Sequence, residues 1–410
     1  MELKSKLKRF FHNRWSAICR TWHYVAISIP FVVVAASLTL SVASVIRIRH
    51  VLDGQFLQYG AEVFGSSKMP YRKLTVISKG KESDDGSAPL KYSGGLDLEN
   101  VQQLHDALDI AERSNNSTNQ RSQALLNSLE NLWEDCYSSS AYYPAKGFLE
   151  KQERGAVTSA EIVGVGGNYA TVHPFRYESG GFLAEEADRY SIVLNTQMAW
   201  NLFHSYNVLG ANVQIGQNMY EVIGVVCEGD DSIAEATGVT KPRAYVSFGQ
   251  LARLINGSSN PDTSESASST VKETDLAVTC YEVLLTDPIK NIAYNDLVKA
   301  MSDAVGYQEE SAVLEIVNNT GRFQALRLYD KYFPLKASVS KLNGAMIPFH
   351  ERSARLAEQY VVFWAEMLIV SGVALITGLC GVYGAIHGRK SKHEIIYVDS
   401  EEEAMEIRRV

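Results

Sequence analysis

Along the chain, apolar positions form two long unbroken runs with patterned sequence between them. Tyr24–Ile46 ("YVAISIPFVVVAASLTLSVASVI") is 23 residues without a charge, and Val361–Ile386 is 26 residues with one charge, Glu366. A hydrocarbon core of about 30 Å takes roughly 20 helical residues, so each run is long enough to cross it. Pro30 falls early in the first run, where neighbouring helices can accommodate it.

Between the runs, apolar residues recur at strand and helix periods. Leu74–Ser78 predicts a strand, and Asp97–Ser114 a helix with Val101, Leu104, Leu108 and Ala111 on one face. A polar loop is expected at 114–122, then a second helix over about 121–136 that aligns Leu125, Leu129, Leu132 and Trp133. Beyond Gly155 strand signals dominate. "NVQIGQNMYEVIGVV" (212–226) predicts a β-hairpin: Val213 and Ile215 alternate, Gly216-Gln217-Asn218 turns the chain, and Met219–Val226 returns. The return strand ends in a continuous apolar stretch, which implies burial on both faces.

"RAYVSF" (243–248) continues the β pattern, and "GSSNPDTSESASST" (257–270) has the composition of a disordered surface loop. Tyr281–Leu285, Ile292–Val305 and Val313–Val317 predict a strand–helix–strand unit. Pro348 opens a helix that meets no breaker before the second span, which would couple the outer region rigidly to the membrane helix. The expected fold class is therefore an α+β two-lobed extracytoplasmic domain (47–360) flanked by transmembrane helices at 24–46 and 361–386. One lobe is split (about 65–150 plus 275–345), the other is inserted (about 155–255), and 348–360 is a stalk helix.

Residues 1–23 place Leu3, Leu7, Phe10, Phe11, Trp15, Ile18 and Trp22 at helical spacing among basic residues. This suits an amphipathic helix in the inner interface before the chain turns upward; an ordinary basic flank is the alternative. "SVA" at 41–43 has the form of a signal-peptidase site. The apolar run exceeds the usual length of about 7–15 residues, which favours an uncleaved anchor.

Charge sets the orientation. Lys4, Lys6, Lys8, Arg9, Arg14 and Arg20 precede the first span, only Arg47 and Arg49 follow it closely, and Arg389, Lys390 and Lys392 follow the second. Both termini, including the tail 387–410, are expected in the cytoplasm of a two-pass plasma-membrane protein. The part between is acidic, with 28 Lys and Arg against 39 Asp and Glu, which excludes nucleic acid as a partner. Of five cysteines only Cys136, Cys227 and Cys280 lie outside. They allow at most one internal bridge, with buried reduced thiols as the alternative.

Motifs for chemistry are missing. There is no G-x-S-x-G, H-E-x-x-H or C-x-x-C. His350-Glu351 begins like a zinc motif, but Ala354 stands where the second ligand belongs. "GAIHGRKS" (384–391) lacks the second glycine of a phosphate loop and follows a membrane helix where that motif needs a strand. His105, His173 and His204 are scattered and expected to be ordinary, and Glu185-Glu186 with Asp188 looks like a solvated turn without calcium-loop spacing. No catalytic residue, cofactor or metal ligand is expected. Ala374 and Gly378, then Gly381 and Ala385, are small residues four apart and mark a candidate helix-pairing face.

One region has a more specific pattern. In 163–226, Gly167, Asn168 and Tyr169 form a G-x-x-Y/F step, and Ser179-Gly180-Gly181 with Glu185-Glu186 form a turn. Ile192–Leu194 and "AWNLF" then give a strand and helix, Gly210 closes "NVLG", and the hairpin ends in Val222-Ile223-Gly224-Val225. This order resembles the extracytoplasmic core domain of MacB-like ABC transporter permeases, with "KPRAYVSFGQL" (241–251) matching the segment that follows. The resemblance is specific over about 90 residues and looser from the first span to Lys392. It implies that Asn168, Tyr169, Gly210, Val222 and Gly224 define the fold, and that the hairpin is structural.

Family permeases transmit motion from a cytoplasmic ATPase through membrane helices and a stalk. This sequence carries two spans where the family has four, and no ATPase domain, so the resemblance implies an ABC ATPase subunit and a fuller permease subunit as partners. Arg389, Lys390 and Lys392, in "GRKSKHEIIY" (388–397), resemble the segment that faces the ATPase and are expected in a short interfacial helix. The expected function is a non-enzymatic membrane subunit of an export or mechanotransmission complex, held in the lipid bilayer and presenting its outer domain to a protein, peptide or lipid. The alternative is a membrane-anchored sensor or adaptor without ATPase coupling, in which the acidic 399–406 tail binds a cytoplasmic partner.

Overall fold

A computed structural model describes residues 2–65, 70–82, 89–91, 93–117, 132–149, 152–184, 190–229, 231–257, 276–308, 311–332 and 347–407. The chain divides into a helical unit, made of the residues up to His50 and those from Tyr360 onward, and an outer unit, Val51–Gln359.

Two helices, α1 (Glu2–Asp53) and α10 (Phe349–Ile407), supply the helical unit. Both are long and apolar enough to cross a membrane. No turn separates residues 1–23 from the first apolar run; α1 is continuous where the sequence suggested a bend. The segment 388–397 likewise continues α10 instead of forming a short helix of its own. Inside this unit Ser41 Oγ lies 2.8 Å from Ser371 Oγ. A Cβ added at Gly378 would meet Val34 at 2.9 Å, and one at Gly381 would meet Pro30 at 3.2 Å. Gly378 and Gly381 of α10 therefore face α1 of the same chain, close packing being what holds helices together in lipid.

The outer unit is built on a ten-stranded mixed sheet among the described residues. After a short 3-10 turn (Phe56–Gln58) and α2 (Gly60–Phe64) come β1 (Tyr71–Ser78), the small pair β2 (Gly80–Glu82) and β3 (Pro89–Lys91), and α3 (Leu98–Ser117). A long hairpin follows, β4 (Glu134–Leu149) with β5 (Gln152–Gly167), then α4 (Tyr169–Val172), β6 (Arg176–Gly180), β7 (Ser191–Asn195) and α5 (Thr196–Phe203). Next are β8 (Asn212–Ile215), β9 (Asn218–Cys227), α6 (Ser232–Thr237), β10 (Arg243–Ser247) and α7 (Phe248–Gly257). The unit closes with β11 (Cys280–Thr286), α8 (Ile292–Val305), β12 (Leu314–Asn318), α9 (Ala325–Tyr332) and the start of α10.

The strand order is β12-β1-β11-β4-β5-β10-β7-β9-β6, and β8 pairs with both β9 and β4. The strands β4, β5, β10, β7, β9 and β8 thus form a closed ring, which leaves none of them a free edge. The pairs β5–β10 and β7–β9 are parallel. The hairpin at 212–226 closes this ring. Its return strand needs a glycine, because a Cβ on Gly224 would meet the Gly181 carbonyl oxygen at 1.9 Å.

Over 121–136 the sequence predicts a helix. Residues 121–131 lie outside the described part, and from Glu134 the chain is already in β4. Pairing with β5 and β11 on its two sides outweighs the leucine spacing, and the strand alternates Ala141, Tyr143 and Ala145 inward with Tyr142, Pro144 and Lys146 outward. Helix α3 also continues to Ser117, into the stretch expected as loop. The Glu185-Glu186-Asp188 turn and the 257–270 loop beyond Gly257 lie outside the described residues.

Strand periodicity divides the core. Leu74, Val76, Tyr281, Val283 and Leu285 join Val101, Leu104 and Leu108 of α3 and Leu297 and Met301 of α8 in one apolar cluster. The opposite face of β1 and β11 meets a second cluster that includes Phe56, Leu57, Tyr169, Val172, Phe175 and Phe349. Lys73, Thr75, Cys280 and Glu282 point to that side by alternation, under the first turn of α10.

Candidate functional site

The first turns of α10, Phe349 to Glu358, are buried in the outer unit and reach three polar clusters. Burying charge is costly unless it is paired and hydrogen-bonded, so the partners at each cluster decide what it can do.

In the first cluster Glu282 of β11 accepts from Thr75 Oγ1 at 2.8 Å, lies 3.5 Å from Lys73 Nζ, and accepts from His173 Nε2. Lys73, fully buried, also donates to the carbonyls of Leu57 (3.1 Å) and Val172 (3.3 Å). Its Nζ lies 3.2 Å from His173 Nδ1, which assigns that nitrogen as the acceptor and Nε2 as the protonated one. Burial lowers the His173 pKa to about 3, so the ring is neutral. Burial alone would raise the Glu282 pKa, but its cationic and hydrogen-bonding neighbours hold it well below the ordinary carboxylate range. His350 of α10 brings Nε2 to 3.2 Å from Glu282 Oε2, off the line a hydrogen bond requires, and its ring centre lies 4.2 Å from that of His173.

Two thiols complete this cluster. Cys136 of β4 stands opposite Glu282, and Cys280 precedes Glu282 on the same face of β11. Cys136, His173 and Glu282 offer ligand atoms all within 4.8 Å of one another, and so do Cys280, Glu282 and His350. Both thiols are buried, and neither they nor the half-buried Cys227 form a disulfide. Burial pushes the Cys136 and Cys280 thiols well above their usual pKa.

The second cluster centres on Arg243 of β10. Its Nε and Nη2 donate to Glu161 Oε2 at 2.9 and 2.7 Å, and Nη1 donates to Glu228 at 2.5 Å. Tyr245 donates to Glu228 Oε1 at 2.5 Å, and Asn195 to Oε2 at 3.1 Å. Burial opposes the guanidinium charge, but the two carboxylates more than restore it and raise the pKa. The Arg243 guanidinium sits 4.6 Å above the Phe349 ring, a desolvated cation–π contact. A cavity of about 30 Å³ separates the first two clusters, lined among others by Ser139, Glu161, His173 and His350.

In the third cluster Arg322 donates to Glu358 through Nε (2.7 Å) and to Glu351 through Nη1 (2.7 Å), with Asn319 Oδ1 accepting at 2.9 Å. Arg355 adds 2.7 Å to Glu351; Lys331 and Tyr332 add 2.5 and 2.6 Å to Glu358. The segment after α1 joins as well. Gln55 Nε2 donates to Ser353 Oγ at 3.0 Å, and Gln58 Nε2 to the His350 carbonyl at 2.9 Å. The arrangement fixes the root of α10 by directional bonds, each of which tolerates little sliding.

Of the residues singled out from the sequence, Tyr169 borders this site, its ring 4.5 Å from that of His173 and part of the cavity wall. Tyr169 is buried at the start of α4 and stacks near Phe175 and Phe182, and the Asn168 amide donates to the Asp135 carbonyl. Gly210 takes φ +76°, and Val222 is buried in β9. Ala374 is half-buried; the side chains of Ala385, Arg389, Lys390 and Lys392 lie outside the described part. His173, expected to be an ordinary histidine, and Lys73, Glu282 and Arg243, which stand in no motif, are the functional side chains that motif spacing misses. The available signal was polar residues at alternate positions inside otherwise apolar strands, as in Lys73-x-Thr75 and Cys280-x-Glu282.

Residues 32–279 match the family model described as the MacB-like periplasmic core domain. No curated protein matches the chain. Among solved structures, the periplasmic region of MacB from Actinobacillus actinomycetemcomitans is similar at 14% identity and a TM-score of 0.37, over 60% of this chain and 88% of that one. The extracellular domain of the noncanonic ABC-type transporter YknZ from Gram-positive bacteria is similar at 14% identity and a TM-score of 0.35, over 60% of this chain and 100% of that one.

Proposed function

Because the chain belongs to the MacB-like periplasmic core domain family, we propose that it is a non-enzymatic, permease-like membrane subunit of an ABC-type export or mechanotransmission complex. An ABC ATPase and a fuller permease are its partners, and the outer unit presents a surface to an envelope protein, peptide or lipid. Both termini lie in the cytoplasm, as the excess of Lys and Arg beside the two spans favours.

One observation carries the reading. The first turns of α10 are bound into the outer unit by Arg322–Glu351 and Arg322–Glu358 pairs, by the His350 contacts and by Gln55. A packed root of this kind has discrete arrangements instead of sliding smoothly, which is what transmission of a helix movement requires. A shift of one helical turn, about 5.4 Å, would break every one of these bonds.

The reading is tested at the other end of α10. Lys390→Glu with Lys392→Glu weakens recovery of the ATPase with the full chain. Unchanged recovery of partners in that variant, with loss on deletion from Asp399, would replace this reading with an adaptor that binds through its acidic tail.

A further inference from the structure

On one buried face two groups of three potential metal ligands share Glu282 of β11: one adds Cys136 from β4 and His173 just after α4, the other Cys280 from β11 and His350 from α10. A Glu282 oxygen lies within 4.8 Å of each thiol sulfur, and Oε2 touches the Nε2 atoms of both imidazoles. His350 Nε2 is buried, faces this carboxylate and has no hydrogen-bond partner of its own. We propose that Cys136, Cys280, His173 and His350 bind a zinc-type divalent cation, with Glu282 as an adjacent fifth oxygen.

The donor set selects the metal. Two thiolates and two imidazoles are the soft and borderline ligands of a four-coordinate zinc site, whereas calcium and magnesium take oxygen. Zinc bonds of about 2.0–2.3 Å need the donor atoms to close in from their present spacing. Rotation of the Glu282 carboxylate off the two histidines makes that room.

Charge balance permits the exchange. Binding releases one proton from each thiol to solvent, and the two positive charges of the ion replace them. The buried net charge is then unchanged, and Lys73 with Glu282 remains a neutral pair. His173 also has the second contact that a ligating imidazole needs. Its Nδ1 lies 3.3 Å from the Leu57 carbonyl, which accepts the ring proton once Nε2 turns to the metal; Lys73 then gives up Nδ1 as an acceptor and keeps the Leu57 and Val172 carbonyls and Glu282. A Cys136–Cys280 disulfide is disfavoured by register. Cys136 pairs with Glu282 and Cys280 with Ser138, so the cysteines are diagonal neighbours, about 7–8 Å apart at Cα.

The test uses the full chain in mild detergent, stripped of metal by a chelator under reducing conditions. Co²⁺ is added and thiolate-to-cobalt absorption is recorded; Zn²⁺ affinity is then measured against a chromophoric chelator. One equivalent binds per chain, absorption appears in the wild type, and thermal melting shifts upward. Cys136→Ser with Cys280→Ser abolishes the absorption, and Cys227→Ser leaves it intact. His350→Gln weakens Zn²⁺ binding by more than the roughly 10–100-fold that loss of an outer-shell partner costs. A folded wild-type chain without thiolate–cobalt absorption would overturn the site, as would binding that survives loss of both thiols or a Cys136–Cys280 disulfide in the isolated chain.

Discussion

Gln58 donates its side-chain amide to the backbone carbonyl of His350 across 2.9 Å, both groups being buried. The bond joins the segment after α1 to the first turn of α10, 292 residues away in sequence. Gln58→Leu removes it and leaves the segment held by Gln55 and Ser353. Loss of one such buried bond costs about 1–2 kcal/mol, read as a lower thermal midpoint of the full chain in detergent. Adding Gln55→Leu costs a further similar amount.

The Arg322 cluster behaves differently from a neutral bond. Arg322→Met leaves Glu351 with Arg355 alone and Glu358 with Lys331 and Tyr332, so the two buried carboxylates are undercompensated and the chain is destabilised by about 3 kcal/mol. Adding Glu351→Leu and Glu358→Leu recovers most of that loss, since apolar replacements need no partner. Thermal melting of the single and triple variants checks this; a triple variant no more stable than Arg322→Met contradicts it.

Two glycines at the β8–β9 hairpin separate crowding from backbone strain. At Gly224 an added methyl has the Gly181 carbonyl at 1.9 Å, whereas at Gly210 the nearest atom is 3.9 Å away and only the φ of +76° resists. Gly210→Ala costs about 1–2 kcal/mol. Gly224→Ala costs more, because two backbones must separate. Comparison of their melting midpoints decides the order.

His105 gives the pH dependence. Its hydrogen bond to Asp135, at 3.0 Å, raises its pKa above the ordinary value, against a smaller opposing effect of burial. A raised folded-state pKa stabilises fully below the unfolded value of about 6.5, and the gain is lost as pH rises through the folded pKa. His105→Gln therefore destabilises the chain at about pH 5.5 and much less at about pH 9. Equal effects at both pH values contradict the pairing.

The apolar runs, the hairpin, Ile292–Val305 as a helix and the family pattern were all legible in the sequence, because each is written in local periodicity. The strand β4 was hidden, since "SSSAYYPAKGF" has weak β character and becomes a strand through its partners β5 and β11. The buried clusters were less visible still. His350 lacked a second ligand at helical spacing, and the groups it meets, His173 and Glu282, come from elements far away in sequence. Motif spacing reports ligands on one element; register and alternation are needed when the site is assembled across a sheet.

Native co-purification separates a transporter subunit from a stand-alone module. The full chain carries a cytoplasmic tag, is extracted in mild detergent from its own cells, and its partners are identified by mass. An ABC ATPase and a fuller permease are expected to be recovered with it in fixed ratio. A folded chain recovered with neither would contradict a transporter-subunit role.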